Sequence, residues 1–331
     1  MLQMSANSVW TIAEVDFPVN GTPREKLGFA LKYAALSPTA TNWQPWSFQL
    51  TDTQLEIATT DVTGSGNSDP EERELLIGCG AAIQYLKLAM KHFGCWGRME
   101  LFPDLDELRR VARIHFGFGG ERDALERSLF VAMTENHTLA PTQSAAPVSD
   151  AILATLQLSA TAERGWLEFA RSESLRQRVA EIASTNAPLG LIHDRSDFRL
   201  TDAAPRRPTM RWPRPLSAFG RREVDLQKAE GGLPWPLPIA AATLAVVKTK
   251  TDDKHGWLAA GQTLARAVLQ AQALRLSWAF FNHMRSRQAR EELRSGIGHK
   301  GFAQVILQFG AFTESEPRQL NAPTTATATF R

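Results

Sequence analysis

Two nine-residue stretches, far apart in the chain, align without a gap: Gly80-Ala-Ala-Ile-Gln-Tyr-Leu-Lys-Leu88 and Gly261-Gln-Thr-Leu-Ala-Arg-Ala-Val-Leu269. Each lies in a long segment whose apolar residues recur at helical spacing. Each is followed by an extended run ending in Phe-Gly, at Phe116-Gly117 and at Phe309-Gly310. Amphipathic helices resemble one another by default, so the alignment alone carries little. The shared order of long helix, connection and strand points to a duplicated unit. A chain so constrained is expected to be α+β, an internally duplicated sandwich of helices around antiparallel sheets. Its first half would span 1–120 and its second 121–320.

Local signals fill in that outline. Thr22-Pro23-Arg24-Glu25 is a capping box with proline at the first helical position, so a helix is expected from there to about Leu36. Extended runs follow at Trp46–Leu50 and Gln54–Ala58. Asp69-Pro70-Glu71-Glu72 repeats the capping logic and opens a helix reaching Gly94, with a possible break near Gly78. Strands are expected at Met99–Phe102, Val111–Phe118, Trp166–Ala170, Thr243–Lys248 and Gly301–Phe312. Helices are expected at Glu121–Glu135, Val148–Leu158, Glu173–Ser184, Gly256–Leu276 and Gln288–Leu293. The Thr/Ala-rich stretch 321–331 reads as a disordered tail.

Composition narrows the function classes. The 331 residues are 43% apolar and 22% charged, ordinary values for a globular chain with a full core. A net charge of +2 gives no global attraction to nucleic acid or an anionic membrane, and no apolar run is long enough for a membrane span. Met1–Trp10 lacks the pattern of a signal peptide. Two cysteines, Cys79 and Cys95, supply neither a four-cysteine zinc site nor a disulfide framework, so a cytoplasmic setting is expected. Cys79 lies near a helix start, where a thiol pKa can fall, but its small neighbours Gly78, Gly80 and Ala81 suit a packing role better. The seven histidines form no i, i+4 pair, and no metal site is expected. Arg73, between Glu72 and Glu74, reads as an ion-paired scaffold residue.

The stretch 198–238 differs from the rest. It holds seven of the 18 prolines together with Arg206, Arg207, Arg211, Arg214, Trp212 and Trp235. Proline at this density argues against regular structure, and tryptophan argues against simple disorder. The stretch is a lid candidate, with a solvated linker as the alternative.

The most informative segment is Ser37-Pro-Thr-Ala-Thr-Asn-Trp-Gln-Pro-Trp46. It resembles the A-P-S-x-x-N-x-Q-P-W signature of nitroreductase-type flavoproteins, with Asn42, Gln44, Pro45 and Trp46 matching and Thr39 in place of serine. Asp69-Pro70-x-x-Arg73-Glu74-Leu-Leu-Ile-Gly-Cys79-Gly80-Ala81-Ala82 resembles D-P-x-x-R-E-L-L-I-S-C-G-A-A of the Acg-like branch, in which one chain contains two nitroreductase-like halves. Gly261–Leu269, then Leu276-Ser277 and Asn282, resemble that branch's second long helix and the loop after it, and Arg290-x-x-Leu293 and Ala303-Gln304 follow in the branch's order. The resemblance covers about residues 25–320.

This resemblance implies FMN bound once, where the halves meet. Thr39, Thr41, Asn42 and Gln44 would face His137, Thr138, Asn282 and Arg318 across the flavin. It implies NAD(P)H-dependent reduction of a nitro, quinone or similar conjugated acceptor, with small-molecule partners. The internal pairing would permit a monomer or a homodimer. No side chain is assigned as acid or base, since a backbone N–H near flavin N5 would suffice. The sequence departs from the pattern at the phosphate site, where expected arginines are replaced by Asn136, Ala140 and Gln319. Each charged hydrogen bond contributes roughly 1.5–3 kcal/mol, so FMN binding is weakened unless Arg211 or Arg214 compensates, while Trp212 or Trp235 would stack on the ring. The alternatives are a flavin-sequestering protein without turnover and a nitroreductase fold that has lost FMN.

Overall fold

The computed structural model describes residues 12–38, 46–59, 69–104, 109–120, 123–134, 148–185, 199–202, 210–211, 243–281, 287–298 and 300–310. Its helices are α1 (Pro23–Ala34), α2 (Asp69–His92), α3 (Ala124–Thr134), α4 (Asp150–Ala160), α5 (Glu173–Thr185), α6 (Lys254–Ala273) and α7 (Arg287–Gly296). Its strands are β1 (Trp46–Leu50), β2 (Gln54–Thr59), β3 (Trp96–Leu101), β4 (Arg110–Phe116), β5 (Gly165–Phe169), β6 (Arg199–Asp202), β7 (Met210–Arg211), β8 (Thr243–Thr249), β9 (Ser277–Phe281) and β10 (Phe302–Gly310). The α+β class expected from sequence is observed.

The capping box forms as the sequence requires. Thr22 Oγ1 accepts from the Glu25 N–H at 3.3 Å, and Glu25 Oε2 accepts from the Thr22 N–H at 2.7 Å. α1 buries Leu27, Ala30, Leu31 and Ala34 against a core shared with α2. β1 alternates strictly, with Trp46, Phe48 and Leu50 inward, and β2 places Leu55 and Ile57 on the same side. The opposite face of this first sheet is polar. Arg113 lies opposite both Glu56 on β2 and Glu100 on β3, and its Nε donates to Glu56 Oε1 at 2.7 Å.

The second sheet, in the order β5-β8-β10-β9, is covered on both faces. Ala245, Val247, Val305, Leu307 and Phe309 join the core around α2 and α6, whereas Leu244, Val246 and Ile306 pack with Val179, Ala289 and Leu293 from α5 and α7. The layers therefore run from the first sheet, through a middle layer containing α1, α2 and α6, to the second sheet and the outer pair α5 and α7. The four-strand order β5-β8-β10-β9 repeats β1-β2-β4-β3, with every neighbouring pair antiparallel. Phe116 lies opposite Trp96 in the first sheet, and Phe309 lies opposite Trp278 in the second.

The two long helices meet at the aligned glycines. A Cβ on Gly80 would lie 2.1 Å from the Leu258 carbonyl oxygen, and one on Gly261 would lie 1.9 Å from the Ile77 carbonyl oxygen. Ile77 and Leu258 occupy equivalent places under the alignment, so the contact is reciprocal. The helices also end alike. After α2, Cys95 N–H donates to Met90 O with Gly94 at φ 67°; after α6, Leu276 N–H donates to Ala271 O with Arg275 at φ 56°.

Four local expectations need correction. α2 runs unbroken through Gly78, because glycine within a helix held by packing on several sides lowers propensity without forcing a break. The stretch from 198 is not without regular structure: β6 uses the proline-free Arg199–Asp202, and β7 fits between Pro208 and Pro213. β6 pairs parallel to β1, so the first sheet is mixed rather than wholly antiparallel. Ser277–Phe281, expected as a loop, is the edge strand β9. The tail 321–331 lies outside the described residues.

The glycine contact yields a stability prediction. In Gly80→Ala or Gly261→Ala the new methyl meets backbone, which cannot step aside, so each substitution should destabilise by about 3 kcal/mol or more. Gly28→Ala, whose Cβ would sit 3.6 Å from Leu50, is the control and should be neutral or stabilising by up to about 1 kcal/mol. Urea unfolding midpoints at constant slope measure all three.

Candidate functional site

The residues expected around a flavin fall mainly on connections. Thr39, Thr41, Asn42, Gln44, His137, Thr138, Asn282 and Arg318 lie outside the described residues, as do Trp212, Arg214 and Trp235. Asn136, Ala140 and Gln319 lie outside them too. Of the lid candidates, Arg211 has a described backbone, in β7 opposite Arg199. The described elements show where these connections start and finish.

In the first sheet, the signature leads from the end of α1 into β1. Ser37 is buried, with its hydroxyl donating to Ala34 O at 2.8 Å. Trp46, the last signature residue, is fully buried, and its indole Nε1 has no hydrogen-bond partner. Next to it Ser47 pairs with Arg199, so the chain arriving from α5 enters the sheet beside the signature.

In the second sheet, three chain ends gather. Val148, which follows the stretch containing His137 and Thr138, donates its N–H to Thr243 Oγ1 at 3.4 Å. Thr243 follows the proline-rich stretch and pairs with Phe309, one residue before the end of β10, beyond which lies Arg318. Three of the segments implicated from sequence thus start or finish at one end of the two inner strands, β8 and β10. Asn282 leaves elsewhere: Phe281 pairs with Ile306 and Ser277 with Gly310, so it departs about 13 Å along the strand from the end of β10. Beside the gathered ends, Gln308 is buried with neither amide atom hydrogen-bonded.

Arg73 is the scaffold residue anticipated, but its partner is across the molecule. It is 1% exposed, and its Nε donates to Gln304 Oε1 at 3.0 Å while a terminal nitrogen donates to the Gln304 carbonyl. The neighbouring Glu72 instead pairs with Lys254 of α6 at 2.7 Å. Gln304 Nε2 donates to Thr249 Oγ1 at 3.0 Å and to Asp252 Oδ1 at 3.1 Å. Asp252 also accepts from Trp257 Nε1 at 2.8 Å and lies 3.5 Å from Arg290 of α7. Burial alone would raise the Asp252 pKa, but hydrogen bonds from Trp257 and Gln304 and the charges of Arg290 and Arg73 outweigh it and hold the carboxyl below its ordinary value. Asp252 and Trp257 were not legible as site residues. The available signal was the Asp252-Asp253 pair, whose second member caps α6 by accepting from Gly256 N–H at 2.8 Å.

Cys79 behaves as the packing residue its neighbours suggested. Contrary to expectation, Cys79 lies near the middle of α2 rather than at its start, so the helix-start effect does not operate, and burial pushes both Cys79 and Cys95 up to about 12. The three described histidines have ordinary partners: His92 lies 2.8 Å from Glu14 and stacks on Phe130, His115 lies 3.1 Å from Glu100, and His255 meets Phe102 edge-on. Among the described residues no group of three or more His, Cys, Asp or Glu could hold a metal ion, and no helix is long and apolar enough to cross a membrane.

The chain is 24% identical over 318 residues to a Mycobacterium tuberculosis protein named "Putative NAD(P)H nitroreductase", known from two strains, with 89% of this chain and 86% of the relative covered. Along nearly its whole length, then, it is similar to a nitroreductase-named protein. A second protein of that organism, "Putative NAD(P)H nitroreductase acg", is 29% identical over 87 residues, 26% of each chain. No protein-family profile matches the chain.

The raised thiol pKa values carry a direct consequence. Neither cysteine should react with a disulfide reagent at pH 8 in the native protein, and both should react once guanidinium unfolds it. Rapid native labelling of either thiol would contradict its burial.

Proposed function

We propose that this chain is a flavin-dependent, NAD(P)H-consuming oxidoreductase of nitroreductase type, built as an internal duplication with one FMN site where its halves meet. The observation that carries the proposal is the repeated four-strand order around the reciprocal α2–α6 contact, with the Asn42, Gln44, Trp46 signature entering the first copy of that order. Similarity to nitroreductase-named relatives supports the same chemistry.

A duplicated chain offers two equivalent places for a site, and one of them is closed. The signature occupies the connection from Ala34 to Trp46, whereas the corresponding connection from Ala160 to Gly165 is a single tight turn. Glu163 of that turn is buried and held 2.9 Å from Lys87 of α2, and Arg266 of α6 donates to Ser159 O at 2.8 Å. One flavin per chain follows, and a monomer needs no second subunit to complete its site.

When bound, the flavin supplies hydride transfer between a nicotinamide and a nitro, quinone or similar conjugated acceptor. The protein's part is to bind, orient and exclude water. Thr39, Thr41, Asn42 and Gln44 carry the hydroxyl and amide groups suited to a ribityl chain and the polar ring edge, and Asn282 adds an amide from the second half. His137, Thr138 and Arg318 suit a phosphate. The buried polar groups without a hydrogen-bond partner that border these connections, Trp46 Nε1 and Gln308, are neutral. They fit a ring or sugar better than a phosphate, so the missing phosphate charge falls to Arg211 or Arg214, with Trp212 and Trp235 covering the ring. Replacement of the expected arginines by Asn136, Ala140 and Gln319 favours one second reading, a protein that sequesters flavin without turning over. Two buried, high-pKa thiols suit a reducing, cytoplasmic setting.

Titration of FMN, followed by NAD(P)H oxidation with a quinone or nitroaromatic acceptor, tests the proposal. One FMN per chain and acceptor-dependent oxidation are expected. Arg211→Ala/Arg214→Ala should weaken FMN by at least about tenfold, the loss of one charge-assisted hydrogen bond, without lowering stability. Equal affinities would remove these arginines from the phosphate site. A protein that holds FMN but ignores both nicotinamides is the sequestering form, and one that binds no FMN has lost the chemistry.

A further inference from the structure

The polar cluster around Asp252 crosses from a helix of the middle layer, through the second sheet, to an outer helix. Arg73 comes from α2, Gln304 from β10, Thr249 from β8, Trp257 from α6 and Arg290 from α7. The pairing of β10 with β8 slips between Ala303 and Val305, so Gln304 is the extra residue of a β-bulge. That bulge turns both the carbonyl and the side-chain oxygen of Gln304 toward one guanidinium. Because both Gln304 oxygens accept from Arg73, its amide nitrogen must face Thr249 and Asp252, and a flip would set an N–H against the arginine. The Asp252 carboxylate then meets two neutral donors, Trp257 and Gln304, and a second buried guanidinium, Arg290, which is 5% exposed.

We propose that Arg73, Gln304 and Asp252 form a positioning relay, through which α2 fixes the placement of α7 and of the start of β10. The relay is directional: Arg73 orients the Gln304 amide, the amide orients the Asp252 carboxylate, and the carboxylate holds Arg290 and Trp257. Since α7 packs on the far side of the second sheet, the relay ties that sheet's outer cover to α2 of the middle layer. On the flavin reading above, the seating of α7 and of the start of β10 governs ligand retention.

The test starts at the α2 end of the relay. In Arg73→Gln, the indole N–H resonance of Trp257 in 15N-tryptophan-labelled protein should shift. The amides of Arg287–Gly296 should exchange at least tenfold faster, while those of Pro23–Ala34 stay within twofold of wild type. Arg73→Lys, which keeps the charge but loses the forked geometry, should shift the resonance in the same direction, and it stands in should the glutamine variant fail to fold. Asp252→Asn should loosen α7 from the other end. FMN affinity should fall about tenfold with α7 loosened. An unmoved Trp257 resonance, or faster exchange spread evenly over both helices, overturns the relay. Loosened α7 with unchanged FMN affinity reduces it to a structural tie. Wild-type protein that binds no FMN refutes the flavin reading, while the exchange and resonance results still decide the relay.

Discussion

The backbone-to-backbone contact of Gly80 with Gly261 is the constraint on which the rest of the architecture depends. With no side chain between them, α2 and α6 approach until each carbonyl fills the place of the other's missing Cβ. Two helices this close act as one slab, with a sheet on either side. α6 is consequently buried over every residue from Gly256 to Ala271, which explains why its sequence is rich in alanine and small polar residues rather than carrying a broad charged face. Arg266, inside that run, is tolerated because Ser159 O and the carboxylate of Glu163 lie beside it. A methyl at the crossing would push the slab apart and affect both sheets at once, since interiors this dense transmit displacement rather than absorb it.

The two sheets share a strand order but solve different burial problems. The second must be apolar on both faces because α5 and α7 cover its outside, and β8 and β10 accordingly read as near-continuous hydrophobic runs. The first carries alternating strands whose outer face is a ladder of Glu56, Arg113 and Glu100. The edges differ too. β1 takes β6 as a parallel neighbour, whereas the corresponding edge at β5 has the Leu167 carbonyl capped by Gln157 Nε2 at 3.2 Å. A repeated topology has thus been made unlike at the two places where a ligand or another strand would meet it.

Much of this was legible in the sequence, and the failures have physical causes. The capping signal located α1 because its hydrogen bonds are local, three residues apart, the Asp69-Pro70 signal placed the start of α2, and strict alternation located β1 and β2. β9 was missed because Ser-Trp-Ala-Phe-Phe is short and abuts a long helix, so its strand character depends on β10, which pairs with it from more than twenty residues away. β6 was hidden by the prolines that follow it, although none lies inside it. The flavin contacts were nameable only by likeness, because they sit on connections where periodicity carries no information. Arg73, Arg290 and Gln304 each stood out as part of a resemblance, but nothing local says that they share one carboxylate, and Asp252 carried no signal of its own.

That shared carboxylate accounts for the irregularity in β10. An arginine buried to the extent of Arg73 costs several kcal/mol if it lacks acceptors, even after relaxation. A neutral ladder hydrogen bond contributes only about 0.5–1.5 kcal/mol, so giving up regular pairing at Gln304 is the smaller loss. The bulge also spreads the acceptors, since two buried guanidiniums, Arg73 and Arg290, lie near the carboxylate of Asp252. With one residue out of register, Arg73 meets the two neutral oxygens of Gln304, and the Asp252 carboxylate meets Arg290, Trp257 and the Gln304 amide. Apolar residues would fill the same space with less desolvation, as buried ion networks seldom add stability over a packed hydrophobic substitute. What such substitutes would not supply is orientation. A leucine at Gln304 could pack in several rotamers, whereas the amide has one arrangement that satisfies Arg73, Thr249 and Asp252 together. The network therefore specifies where α7 sits more than it strengthens the fold.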